Sequence, residues 1–448
     1  MNFLLPGFRA VTVAAVVVFC TVTGAQSREL SDVLWQVEKN TPALKAAHAR
    51  TAMQREGVSQ AKSRYWGEVD AMVKNSNYDD TRLINPMSFP VNMREELFDD
   101  NQIGYGVTGH IPLDINGRIT AGVRAADRKL EAALAREDDV RLQVLHSAAD
   151  LYHSLEGVKA LEKALEKQRQ ALQAHIQIAA VAIKAGRTAP VEKLRLVADL
   201  EAVKGKLAGM RGQEQAIRAR IAALMGSKSF TDPVQAARVP LVEEAAMDEN
   251  LNGRPDIKAL QSTGEAAAAE IDAAFARRLP GLQVNGSWLQ NQGFDGEGDD
   301  TWALFVQLKM PLWDGGGRRA AVRQAEAGKT AVLRELDLTR NRARAEFVAA
   351  KAECAAAKIS YRSTEASVAA AKETARIQTD RFAEGRISAA DLVDAEASLA
   401  AARSGSALAL TRWWQAEDHI RRAVGEEPVA YVAPPQTGAA PKPTGQDN

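Results

Sequence analysis

Proline is distributed along this chain in a way that leaves few folds open. The chain has 448 residues and 16 prolines, yet none falls within residues 113–189 or within 312–427. Both tracts are dominated by Ala, Leu, Glu, Lys, Gln and Arg, the strongest helix formers. Globular domains seldom run so far without a helix breaker. In the first tract Val140, Val144, Ala148, Leu151, Leu155, Val158, Leu161, Leu165 and Leu172 recur at steps of three, four and seven, the rhythm of a coiled-coil seam. A helix from about Arg118 to Lys184 would span about 100 Å at 1.5 Å per residue, too long for any compact domain.

Each tract opens on a similar turn. "IPLDINGRITAGV" starts at Ile111 and "MPLWDGGGRRAAV" at Met310, 199 residues later, and Gly186 and Gly385 are the same 199 residues apart. The interval from the Pro-Leu turn to the Gly-Arg turn is thus conserved between two halves of one chain. At "KAGRTAPVEKL" and "AEGRISAADLV" a glycine can take the left-handed C-cap while Thr188 or Ser388 caps a following helix. The chain is expected to reverse there, with return helices over about Pro190–Met225 and Ser388–Val424. The fold class expected is mainly α with a small β part, a duplicated strand pair plus long-helix hairpin. The first repeat is expected over 26–235 and the second over 236–428.

Strand pairs are expected ahead of each Pro-Leu turn, over about 64–75 with 102–112 and 280–290 with 301–311. Leu282, Val284, Gly286 and Trp288 alternate, as do Trp302, Leu304, Val306, Leu308 and Met310, and Ile103, Tyr105, Val107 and Ile111 share one face. One-faced alternation of about ten residues with aromatic ends is the signature of a transmembrane β-hairpin. Four strands cannot close a barrel, so other copies must satisfy their edges. The first half is longer by the stretch around "NSNYDDTRLINPMSFPVNMREELFDD", read as an external loop.

The termini and composition set limits on class. Arg9, the apolar "AVTVAAVVVFCTV" and the small residues up to Ala25 read as a signal peptide over 1–25, too short for a spanning helix. A lipid anchor at Cys20 is disfavoured by the bulky Phe19 before it. Cleavage would leave Cys354 as the only cysteine and no disulfide framework. Residues 429–448 read as a disordered Pro- and Gly-rich tail. Lys plus Arg and Asp plus Glu both number 57, so charge supports no nucleic-acid partner.

These elements, in this order, resemble the TolC-like outer-membrane efflux protein family across nearly the whole mature chain. The residues that carry the likeness are Asn40-Thr-Pro-Ala-Leu44 with Arg254-Pro-Asp-Ile257, Pro311-Leu-Trp-Asp-Gly-Gly316 with Pro112-Leu113, and the stretch from Gly385 to Ala395. The resemblance implies a homotrimer: a 12-strand β-barrel in outer-membrane lipid, standing on a long periplasmic α-helical barrel. It implies a periplasmic adaptor and an inner-membrane pump as partners, no cofactor and no catalysis. Pro112, Pro311, Asp314, Gly315 and Gly316 would then mark the strand-to-helix turns. The family's gate aspartates stand six and nine residues past the turn glycine, which here are Asp391 and Asp394; they could equally cap the first helical turn. Glu192 and Arg195 take those places in the first repeat. Phe382 stands where the family often has a latch tyrosine, and Arg381 and Arg386 could pair with the aspartates or be solvated. Adaptor contact would fall on Gly186, Arg187, Gly385 and Arg386, although helix termination alone would also explain these glycines. "AGRTAPVEKLRL" looks like the heavy-metal resistance branch.

Other signals are weaker. His146 and His153 share a helix face seven apart, not the three or four that suits a metal on a helix. "SQAK" at Ser59–Lys62 lacks the companions of a Ser-x-x-Lys nucleophile, and "GGGRR" lacks phosphate-loop spacing. Trp413 and Trp414 are expected to pack where the last helix meets its neighbours. The competing function is a periplasmic coiled-coil scaffold that never enters the membrane.

Overall fold

The computed structural model describes residues 29–84, 97–186, 189–233, 251–296 and 298–428. The expected signal peptide, the tail and Arg187 lie outside the described residues. The chain runs α1 (Leu30–Asn40), α2 (Pro42–Ser63), β1 (Glu68–Leu83), β2 (Phe98–Leu113), α3 (Arg118–Lys184) and α4 (Pro190–Leu224). After a single 3-10 turn at Leu251–Gly253 it continues α5 (Pro255–Ala276), β3 (Gly281–Gly293), β4 (Gly298–Lys309), α6 (Gly317–Ala383) and α7 (Ala389–Val424). The order helix, strand pair, long helix, return helix therefore occurs twice. α3 and α6 are each 67 residues long.

Among the described residues the core is divided into four clusters strung along the helices, as the length of α3 and α6 requires. The largest joins Val33, Leu34 and Val37 of α1 to Leu145, Tyr152 and Leu155 of α3 and Ile221 of α4. α1 was not expected from the sequence, although Leu30, Val33, Leu34 and Val37 have the spacing of one buried helix face. α3 also buries more than the single seam read from its sequence. Ala148, Leu155, Val158 and Leu172 of that seam are buried, and so are Leu145, Ala149, Tyr152, Ala164, His175 and Ala179. The reason is that α3 packs against α4 and α7, with α1, α2 and α5 in addition.

The sheet is antiparallel in the order β1-β2-β3-β4. Its strands differ from the spans expected. β1 and β2 have 16 residues each, against 13 and 12 for β3 and β4. Much of the extra length in the first half thus extends the strands instead of forming a loop, with a register shift between Asn77 and Arg82. Residues 85–96, the centre of the expected loop, lie outside the described residues. Pro112 was expected to mark the strand-to-helix turn, but it lies inside β2 opposite Gln283, beyond the last pair with β1, Glu68 with His110. Only one neighbour remains there, so the missing N–H of proline is tolerated.

Candidate functional site

The register sorts the sheet into two faces. Val69, Ala71 and Val73 of β1 stand opposite Gly109, Val107 and Tyr105 of β2. Val107, Ile111 and Leu113 meet Trp288, Val284 and Leu282 of β3, which in turn meet Trp302, Val306 and Leu308 of β4. All of these lie on one face, and most are open: Trp302 is 76 % exposed and Leu304 69 %. The other face carries Asp70, Lys74, Thr108, His110, Gln283, Asn285, Ser287 and Gln307, with Gln283 donating to Gln307 at 2.8 Å. An apolar face that solvent would penalise, backed by a polar one, is the division found between lipid and lumen. Among the described residues no helix is long and apolar enough to cross a membrane.

At the lower end of the sheet one aspartate per repeat begins the long helix. Asp114 accepts from the N–H groups of Ile119 and Thr120, both at 2.8 Å, and from the Thr120 hydroxyl at 2.7 Å. Asp314 accepts from the N–H of Gly316 at 3.1 Å and of Arg318 at 2.9 Å. These satisfy donors that the first turn of a helix leaves open. The turns reach this geometry through left-handed Gly117 (φ 72°) and Gly316 (φ 88°). Burial works against ionisation of Asp114, but its hydrogen bonds from Thr120 and Ile119 outweigh this and hold the carboxyl below its usual range. The N–H of Arg318 does most to lower Asp314. Asp114 and Asn116, which donates to the Pro280 carbonyl at 3.1 Å, were not singled out in the sequence. The recurrence of Asp four residues before Arg in both junctions was the available signal. Asp114→Ala is expected to cost about 0.5–2 kcal/mol, the usual loss of a helix cap, read as a lower melting temperature of the helical signal.

At the far end, α3 and α6 both stop on a left-handed glycine, Gly186 (φ 69°) and Gly385 (φ 72°). The Gly385 N–H donates to the Phe382 carbonyl and the Arg386 N–H to the Arg381 carbonyl, closing a Schellman cap. This accounts for the glycine, since a Cβ would meet open space at either position and only φ forbids one. Asp391 belongs to a capping box: its N–H donates to the Ser388 hydroxyl at 3.3 Å, and its carboxylate accepts from the Ser388 hydroxyl at 2.7 Å and the Ser388 N–H at 3.1 Å. Those bonds, the hydroxyl's first, hold its carboxyl below the ordinary range. Asp394 lies three residues further along the same helix and is exposed. Arg386 pairs with Glu384 at 3.0 Å and not with either aspartate. Glu192 accepts from the Ala389 N–H at 3.0 Å, tying the start of α4 to the start of α7.

Phe382 is buried, packed with Leu172, Leu196 and Leu392 and set edge-on to His175. His175 in turn meets Glu396 at 3.3 Å, both side chains being buried, which links α3 to α7. Nearer the sheet a second polar tie joins the same helices. His153 contacts Glu156 through Nδ1 at 2.9 Å and Asp418 through Nε2 at 3.3 Å, while its ring stacks on Trp414 at 5.3 Å. Burial alone would depress this imidazole, but the two carboxylates outweigh it and raise it to about 9. Trp413 and Cys354 both donate to Glu417 alongside. His146 bonds instead to the Glu426 carbonyl at 2.8 Å. Among the described residues no group of His, Cys, Asp and Glu is placed to hold a metal ion, and Ser59 lies in α2 bonded to the Arg55 carbonyl.

The family model described as outer membrane efflux protein matches residues 33–227 and 246–426. Nodulation protein T of Rhizobium leguminosarum bv. trifolii is 24 % identical over 330 residues, 68 % of each chain. The multidrug resistance outer membrane protein MdtP of Shigella flexneri is 26 % identical over 51 % of this chain, a match that spans 49 % of MdtP's own length. Among solved structures, the outer membrane protein VceC of Vibrio cholerae superposes with a TM-score of 0.75 at 20 % identity, covering 89 % of this chain and 96 % of VceC. The open apolar face of the sheet and the twice-repeated strand-to-helix architecture are what such a likeness requires, and the chain belongs to the outer membrane efflux protein family, as an efflux channel of the outer membrane.

Proposed function

We propose that this chain forms the exit duct of a tripartite efflux or type I secretion machine, assembled as a homotrimer with a periplasmic adaptor and an inner-membrane pump. The observation that carries the reading is the sheet: one face apolar and open, and two outer edges, β1 and β4, that have no partner strand among the described residues. An unpaired edge cannot remain in hydrocarbon. With four antiparallel strands per chain, β4 of one copy runs antiparallel to β1 of the next, so three copies close a 12-strand barrel with no edge left over. The same open apolar face argues against a scaffold held in water.

In this reading the helices continue the duct into the periplasm, and the turns at Gly186 and Gly385 close its lower end. Asp394, exposed and uncommitted to a cap, supplies the negative ring of the gate. Asp391 contributes charge while also starting α7. Three copies of each around a narrow axis would favour cations and hinder other solutes. Phe382 supports the gate from inside, by packing rather than by a hydroxyl latch. Gly186, Arg187, Gly385 and Arg386 offer the adaptor a surface of turns, and the resemblance of residues 185–196 to the heavy-metal branch makes metal ions one cargo class to assay.

Two measurements test the proposal. The purified outer-membrane fraction should contain an oligomer that resists SDS until heated and then runs as a monomer; a monomer confined to the soluble periplasmic fraction would rule the duct out. In planar bilayers Asp391→Ala combined with Asp394→Ala should raise single-channel conductance several-fold and weaken cation preference. Currents equal to wild type would remove both aspartates from the gate.

A further inference from the structure

The two ends of the sheet carry opposite charge. Antiparallel pairing of Glu68 with His110, Leu113 with Leu282 and Gly281 with Lys309 brings all four strand-to-helix junctions to one end. The other end holds Asp79 and Asp80 of β1, Asp99 and Asp100 of β2, and Asp299 and Asp300 of β4, against Arg82 alone among the described residues. The junction end is basic. Arg64 follows α2, Arg118 opens α3, Arg277 and Arg278 follow α5, and Arg319 lies in the first turn of α6.

All five arginines are exposed, and none is ion-paired to a carboxylate among the described residues. Arg278 lies over the Phe275 ring at 5.3 Å. Of the acids in these junctions, Asp114 and Asp314 are engaged in caps, Asp314 also meeting Arg318 at 3.5 Å, which leaves Glu68. The helices account for only part of this charge. Cations suit the ends of α2 and α5, but at the starts of α3 and α6 they oppose the helix dipole, and neither first turn holds an acid to balance them. Large apolar groups stand among the arginines: Trp66 is 84 % exposed and Trp313 88 %. Exposed indoles beside free cations suit the zone where hydrocarbon gives way to headgroups, because the ring partitions to that level and the cation reaches phosphate. This zone continues directly from the open apolar face of the sheet.

We propose that the arginines at the junction end bind the anionic headgroups of phospholipids in the leaflet next to the helices. The inference rests on the duct described above, with its sheet in the membrane and its helices below, and adds the lipid that this end selects. The acidic far end repels the same headgroups, so the charge difference also favours one orientation of the sheet across the bilayer.

The test offers the purified oligomer, in neutral detergent, either phosphatidylglycerol or phosphatidylcholine, which has no net charge, and counts retained lipid by native mass spectrometry. Wild type should retain phosphatidylglycerol at least about fivefold better, the effect of one cation at an anionic surface, and added salt should shrink the difference. Arg64→Gln, Arg277→Gln, Arg278→Gln and Arg319→Gln combined should lose the preference while the oligomer still resists SDS until heated. The same four changed to Lys should keep it, as should Asp299→Asn with Asp300→Asn. If the fourfold Gln variant does not assemble, Arg277→Gln with Arg278→Gln must show a reduced preference. Equal retention of the two lipids by wild type, a preference that survives the Gln changes, or a loss shared by the Lys changes would overturn the inference and leave the duct standing. Altered ion selectivity in planar bilayers with unchanged lipid retention would place the arginines in the lumen and overturn it too. Absence of any membrane oligomer of the wild type would overturn the duct itself.

Discussion

Replacing His153 with alanine is expected to destabilise the helical layer by about 3–5 kcal/mol, because it leaves buried carboxylates without their cation. Glu156 and Asp418 flank the imidazole, and Asp418 is 1 % exposed. Both carboxylates are buried. The pH dependence has a definite sign. In the folded chain His153 titrates at about 9, above its ordinary 6.5. Its stabilising contribution is therefore complete below about pH 6.5 and is lost as pH rises through 9. Thermal melts of the purified protein followed by circular dichroism should fall between pH 6.5 and 9.5 in the wild type. The same melts should be lower and flatter in His153→Ala. A variant that melts within a degree of wild type at pH 6.5 would show that the cluster is not a cation held between carboxylates.

Leu304→Arg should abolish assembly of the membrane sheet. Leu304 lies near the middle of β4 on the open apolar face, opposite Gly286, which offers no side chain to shield a charge. Arginine in the middle of a lipid-facing strand costs about 2–4 kcal/mol, and a symmetric assembly meets that cost in every copy. The neighbouring substitution Ala303→Arg makes a larger change in volume but points to the polar face, opposite Ser287. It should insert normally and alter conductance instead. Fractionation and heat-modified gels of the two variants separate the outcomes, and equal insertion of both would mean that the apolar face does not meet lipid.

The contrast between these sites also explains what could be read in the sequence. Periodic, local features were legible. The Gly-Arg turns and the long helices follow from proline placement and apolar spacing, and the alternation of Trp302, Leu304, Val306 and Leu308 marks the face that the register keeps together. Strand ends were not legible, because Asn75, Asn77, Asp79 and Asp80 have turn-like composition and yet continue β1. For Asn75 and Asn77 that low β-propensity is overridden by pairing to Ile103 and Asn101 of β2. The buried ionic ties were hidden for a different reason. His153 and Asp418 lie in different repeats, and no local pattern announces that a histidine on one helix will meet an aspartate on another. The capping role of Asp391 was legible as one of two readings, since Ser three residues before an acid is a local signal.

The equal lengths of α3 and α6 carry a consequence for how this architecture can change. Both rods stand on the same sheet and end at turns joined by the Glu192–Ala389 bond. Shortening one by seven residues would lift its tip by about 10 Å relative to the other, break that bond and slide every lateral contact out of step. Shortening both alike, with the return helices α4 and α7 cut to match, would preserve them. Insertions and deletions in such a duplicated chain must therefore arrive in matched sets, and the reach of the proposed duct can evolve only in coordinated steps.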